Sequence, residues 1–177
     1  MKKFLMVLIS ICFLATSSVA FADGNRFGVQ FGSGMDFGGI YYGEDYAWAA
    51  GAKIGYSKLD MTWLDDTLSS EQDSVSFSIF ARKNFKIKNN IYLGIGATIG
   101  LEEGEAVVEG VGSADFDSWN VAPYFLIDYH LSKHFIINAG ASIVSFKFDD
   151  YTANDIDILE KDTVDVMEPF VVLTYMF

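Results

Sequence analysis

Four stretches of this chain alternate residue by residue between large apolar and small or polar side chains, and that period of two limits what the chain can become. In 91–101, Ile91, Leu93, Ile95, Ala97, Ile99 and Leu101 share one face, and Tyr92, Gly94, Gly96, Thr98 and Gly100 share the other. In 119–129, Trp119, Val121, Pro123, Phe125, Ile127 and Tyr129 alternate with Asn120, Ala122, Tyr124, Leu126 and Asp128. The runs 48–56 and 169–177 behave the same way, with Trp48, Ala50, Ala52, Ile54 and Tyr56 in one set and Pro169, Val171, Leu173, Tyr175 and Phe177 in the other. Successive side chains of a strand point to opposite faces, so a strict two-residue period is a strand signal. A run of about nine to eleven residues is the length a tilted strand needs to cross a hydrocarbon layer.

Composition sharpens the choice. Of 177 residues 51% are hydrophobic, which excludes a disordered chain, yet the formal charge is −12, which argues against nucleic acid as a partner because phosphates are met by Lys and Arg. Part of the apolar content belongs to a leader. Lys2 and Lys3 precede the short apolar run Phe4 to Ala15, and Ala20-Phe21-Ala22 offers the small residues of a cleavage site. Residues 1–22 therefore read as a secretory signal peptide, with 23–177 as the mature domain. Removing the leader leaves ten basic against 24 acidic residues, a charge of −14, and removes Cys12, the one cysteine. No disulfide can brace the exported domain, and no remaining segment reaches the 18 continuous apolar residues of a transmembrane helix.

The fold class expected is all-β, a transmembrane antiparallel up-and-down barrel. Strands are placed near 26–33, 36–42, 46–61, 75–87, 91–101, 118–129, 135–147 and 168–177, which makes eight, with ten as the alternative if 103–111 and 151–159 form further strands. Aromatic residues sit near the strand ends, among them Trp48, Tyr56, Phe85, Trp119, Tyr129, Phe135, Tyr175 and Phe177, as in the interfacial girdles of membrane barrels. Connections alternate between short turns (42–46, 87–91 and 129–135) and longer polar loops (65–73, 103–117 and 149–166), the arrangement of periplasmic turns and external loops.

The C-terminal run Val171, Leu173, Tyr175, Phe177 resembles the last strand of bacterial outer-membrane proteins, and the mature chain as a whole resembles the small eight-stranded barrels of the OmpX/Ail and OmpA transmembrane-domain type. The resemblance implies that the barrel assembly machinery reads Tyr175 and Phe177, that outer-membrane lipid and lipopolysaccharide surround the barrel, and that it acts as a monomer. With Phe177 as last residue, no peptidoglycan-anchoring domain is expected.

Candidate site residues follow from strand parity. Lys53, Arg82 and Asp128 fall on lumen faces, as do Gln30, Asn120 and Asn138. Buried charge needs a partner, so a lumen polar network is expected in which Asp128 pairs with Lys53 or Arg82, as a plug or as part of a gated path. His130-Leu131-Ser132 resembles the His-x-Ser pair of the outer-membrane lipid A 3-O-deacylases, but no counterpart of that family's downstream Glu is found near Val144 and Ser145, so a polar turn is the preferred reading. Gly94, Gly96 and Gly100 have the wrong spacing for a nucleotide loop and alternate within a strand, so no cofactor is expected. The three long connections are acidic, with Asp155 and Asp157 lacking the glycine and closing glutamate of a calcium loop, so no metal site is assigned. Lys83, Lys86, Lys88 and Lys133 gather at the short turns.

The function expected is that of an outer-membrane barrel without enzymatic activity, structural or surface-interacting, which meets an extracellular ligand or host surface through its acidic loops. The alternatives are a narrow pore for a small hydrophobic solute, of the OmpW type, and, less favoured, an enzyme acting on lipid A.

Overall fold

In the computed structural model the chain forms eight strands, β1 (Arg26–Gly32), β2 (Phe37–Tyr42), β3 (Trp48–Thr62), β4 (Ser69–Lys88), β5 (Ile91–Val108), β6 (Gly112–His130), β7 (Phe135–Ala153) and β8 (Ile156–Met176), with a 3-10 turn at Glu44–Tyr46. The structure describes residues 26–32, 36–62, 69–108, 112–153 and 156–177. The expected leader, 1–22, lies outside these. Each strand pairs antiparallel with its neighbour in sequence, and β1 pairs with β8, closing the barrel.

The parity read from the sequence is the parity of the wall. Ile95, Ile99, Leu101, Trp119, Ile127 and Leu173 are exposed on the outside, while Tyr92, Ala122, Tyr124, Leu126 and Val172 are buried within. An exposed aliphatic belt flanked by aromatic rings is stable only against hydrocarbon. The interior is narrow and filled by side chains, as eight strands require. Gly94 shows how tightly: a Cβ there would lie 2.9 Å from Asn84 Oδ1 and 3.1 Å from Arg82 Cδ. Pro123, which has no N–H for the ladder, sits where the β6–β7 register slips between Val121 and Tyr124, one of the places a sheet tolerates proline. The slip inverts parity along β7, so Ile143 and Phe146 both face outward.

The expected long loops and the ten-strand alternative need correction. The long polar connections are largely strand: pairing continues from Leu101↔Trp119 through Glu103↔Asp117 and Glu105↔Asp115 to Val108↔Gly112, and from Phe148↔Asp162 to Ala153↔Ile156. The described parts of 103–111 and 151–159 prolong β5, β7 and β8, so they do not add strands and the count is eight. The reason is that leaving the apolar belt removes the hydrophobic alternation but not the backbone hydrogen bonds, which need no particular side chain. Conversely the first hairpin is short. β1 and β2 have 7 and 6 residues, against 18 to 21 for β4 through β8. Beyond that hairpin, β3 from Gly55 and β8 up to Val171 each have one edge without a ladder partner among the described residues.

Candidate functional site

The lumen holds a continuous polar network. Arg82 on β4 and Asp128 on β6 face inward by parity, and their Nη2 and Oδ2 atoms are 2.8 Å apart. Both are buried, Asp128 completely, so neither could remain charged there alone. The other bonds satisfy the pair. Arg82 Nη2 donates to the Tyr42 hydroxyl at 2.7 Å and Nε to Asn84 Oδ1 at 3.1 Å. Asn138 Nδ2 donates to Asp128 Oδ1 at 2.5 Å, Thr174 Oγ1 donates to Asn138 Oδ1 at 2.6 Å, and Gln30 Nε2 donates to Thr174 Oγ1 at 3.2 Å. The Arg82 guanidinium also lies 5.3 Å from the Tyr42 ring centroid. Strands β1, β2, β4, β6, β7 and β8 all contribute, so the network ties the barrel across its diameter.

Of the two cations considered for Asp128, the structure places Arg82 there and keeps Lys53 apart. Lys53 lies over the Phe80 ring, with Nζ 5.8 Å from its centroid. Asn120 faces the same lumen, with its side-chain amide against Gly100. A second inward cluster stands nearer the long hairpins, where Ser74 Oγ donates to Glu102 Oε1 at 2.6 Å and Lys147 Nζ lies 3.1 Å from Glu102 Oε2. Glu102 is therefore neutralised from β7, and Lys58 similarly pairs with Glu71 across β3 and β4. Among the described residues no three His, Cys, Asp or Glu side chains converge in a way that would hold a metal ion.

The short-turn end is closed by a device that sequence reasoning missed. Asp45 and Tyr46 take left-handed backbone angles, φ 52° and 59°, so Tyr46 leaves the expected strand start and turns into the lumen. Its ring packs 4.4 Å from His130, 5.2 Å from Tyr42 and 5.7 Å from Tyr92, centroid to centroid. Asn84 Nδ2 donates to the Tyr46 carbonyl at 2.8 Å, and Arg26 lies over the ring at 5.3 Å. Non-glycine left-handed residues cost about 1 kcal/mol each, which these contacts offset. Burial pushes the Tyr46 hydroxyl pKa up. The His130 Nε2 is buried without a hydrogen-bond partner. The signal available for this device was the Tyr42, Tyr46, Tyr92 and His130 set, each within four residues of a short turn.

His130 and Ser132 have separate surroundings. His130 is in the aromatic cluster, whereas Ser132 Oγ accepts from the backbone N–H of His134 and of Phe135, both at 3.2 Å, and so caps the turn rather than sharing a strand face with His130. His134 Nδ1 donates to the Met176 carbonyl at 3.0 Å. Tyr175 and Phe177 lie at the closing seam: Phe177 N donates to the Phe27 carbonyl at 3.0 Å, its ring stacks on Phe27 at 5.9 Å, and Tyr175 meets Phe135 edge-on at 5.1 Å.

No family model and no curated protein matches this sequence. Solved structures do. A major outer membrane protein from Thermus thermophilus superposes with a TM-score of 0.58 at 8% identity, covering 86% of this chain and 99% of that one. The attachment invasion locus protein Ail of Yersinia pestis gives 0.46 at 13% identity, with 86% and 95% covered. CarO of Acinetobacter baumannii gives 0.36 at 11%, with 86% and 96% covered. The first of these superpositions, together with the closed eight-strand ring, makes the fold that of outer-membrane β-barrel proteins.

Proposed function

We propose that this outer-membrane barrel is non-enzymatic and works through the sheet that its long strands carry beyond the membrane, where it meets an extended, basic polypeptide on an extracellular ligand or host surface. One observation carries the reading. Strands β3 to β8 rise past the short β1–β2 hairpin; among the described residues β3 from Gly55 and β8 up to Val171 each keep one edge without a ladder partner, and β5 to β8 carry a strongly acidic outer face. Glu103, Glu105, Asp115, Asp117, Asp150 and Asp162 are all exposed there. Facing carboxylates such as Glu103↔Asp117 and Asp117↔Asp150 repel across the ladder, so the arrangement costs stability in isolation and complements a cationic partner. Unpaired strand edges are templates for an added strand, whose N–H and C=O groups supply affinity while its side chains supply specificity.

The test uses the refolded protein in liposomes and a labelled peptide of alternating Lys and Val. Saturable binding is expected, reduced at least tenfold when prolines replace alternate valines and when Glu103, Asp117 and Asp150 become glutamine and asparagine. Binding that ignores both changes would refute the reading. On this view the lipopolysaccharide leaflet surrounds the aromatic girdle at the same end, the lysines at the short turns meet the periplasmic leaflet, and Tyr175 and Phe177 present the last strand to the assembly machinery.

The narrow-pore reading has an internal cavity in its favour and the Arg82–Asp128 network and Tyr46 closure against it. Lipid A chemistry has no support from geometry, since the Ser132 hydroxyl oxygen is occupied in its turn and the His130 ring is packed among tyrosines.

A further inference from the structure

Above the Arg82–Asp128 network, on the side away from Tyr46, the lumen holds a half-open cavity of about 120 Å³. Its wall includes Lys53, Arg82, Tyr124, Gln30, Asn138 and Thr98. Both charged residues on that wall are cations; Asp128 is not part of it. We propose that this cavity is a binding site for a small oxyanion, a carboxylate or phosphate group, held by Lys53, Arg82 and Tyr124.

Three features of the wall support the assignment, and two of them, at Arg82 and Tyr124, adjoin each other. Lys53 reaches inward from β3 and covers Phe80, yet it makes no hydrogen bond or ion pair with any described residue. Asp36 acts on it through space but forms no ion pair with it. A largely buried ammonium with no bonded counter-charge is an expensive group to keep, and an anion in the adjoining space is what would satisfy it. Arg82 engages the network through Nη2 and Nε, and its Nη1 has no hydrogen bond to a described residue. The Tyr124 hydroxyl is buried beside the Arg82 guanidinium, whose contact with it falls short of hydrogen-bonding geometry, and it has no other partner among the described residues. An ammonium, one arm of a guanidinium and a phenol are three donors left over around one space, and an oxyanion offers enough lone pairs for all of them.

Size selects the ligand class. An apolar cavity of ~150 Å³ accommodates benzene, so a slightly smaller polar one accommodates an acetate or phosphate group with a water or two. The site is separate from the strand extensions and does not depend on what they bind.

The experiment uses the refolded barrel in detergent micelles at fixed ionic strength. Sodium acetate and sodium phosphate are titrated separately against sodium chloride while side-chain resonances of Lys53, Arg82 and Tyr124 are followed. Saturable shifts confined to these three groups are expected for at least one oxyanion, and which salt produces them identifies the carboxylate or the phosphate as the preferred group. Lys53→Met is expected to weaken binding at least tenfold. If Lys53→Met fails to give the heat-modifiable gel mobility of a folded barrel, Tyr124→Phe, which removes one hydroxyl, is expected to weaken binding severalfold. Shifts that are linear with salt, spread over the surface, equal for chloride, or unchanged in a folded variant would overturn the proposal.

Discussion

Asp128 has no contact with solvent, and it is compatible with the fold only as one member of a set. Its two oxygens take bonds from Arg82, Tyr42 and Asn138, and Asn138 is itself held by Thr174. Asp128→Ala leaves the Arg82 guanidinium buried and unmatched, with an expected loss of about 3–5 kcal/mol. The double variant Arg82→Met/Asp128→Leu is expected to lose less than the sum of the two single changes, because it removes both charges. Urea unfolding of the refolded barrel in detergent, followed by tryptophan fluorescence, measures all three; simple additivity would show that the pair does not act as a unit. Parity alone made Arg82 and Asp128 legible, since it puts both inside. It put Lys53 inside equally well. Which cation meets the carboxylate depends on strand tilt and stagger, and neither is written in the alternation of any one strand.

At the level of elements, the eye reads strands well where water and hydrocarbon disagree and poorly where they do not. Strand β5 between Ile91 and Leu101 has one face for lipid and one for a crowded lumen, so its sequence alternates. From Glu102 to Glu105 the alternation of large apolar and small residues stops, and the same strand continues on backbone hydrogen bonds. The short turn at 42–46 was legible, but Tyr46 reads as the first residue of the following strand, and only its left-handed backbone sends it inward. That turn is a closure held by rings, an arginine and one Asn84 bond. Tyr46→Ala is expected to destabilise the barrel by about 2–4 kcal/mol, a little below the ~3–5 kcal/mol of a fully packed aromatic site because the ring is half-buried. It is also expected to admit a small thiol reagent from the short-turn side to a cysteine introduced at Tyr92. Equal labelling with Tyr46 present or absent would show that this ring does not close that end.

At the level of the whole molecule, the barrel is strong on one side and thin on the other. Ladders between β4, β5, β6, β7 and β8 run through most of each strand, while the seam that completes the ring has five register pairs, Gly28↔Met176 to Gly32↔Val172. The β1–β2 ladder has six. Cooperative units with few hydrogen bonds and little packing open first, so the ring should breathe at its seam. Phe177 compensates there. Its amide extends the ladder to Phe27, and its ring stacks on Phe27 while Tyr175 packs against it edge-on. A terminal aromatic residue thus has a physical task in the finished barrel whatever reads it during assembly. Amide exchange in micelles is expected to be slowest in β5 and β6 and at least tenfold faster at residues 27–32 and 38–42, with the gap widened by Phe177→Ala and the central strands unaffected. Uniform protection around the ring would mean that the seam borrows stability from its neighbours, and the barrel would then have to open as a single unit.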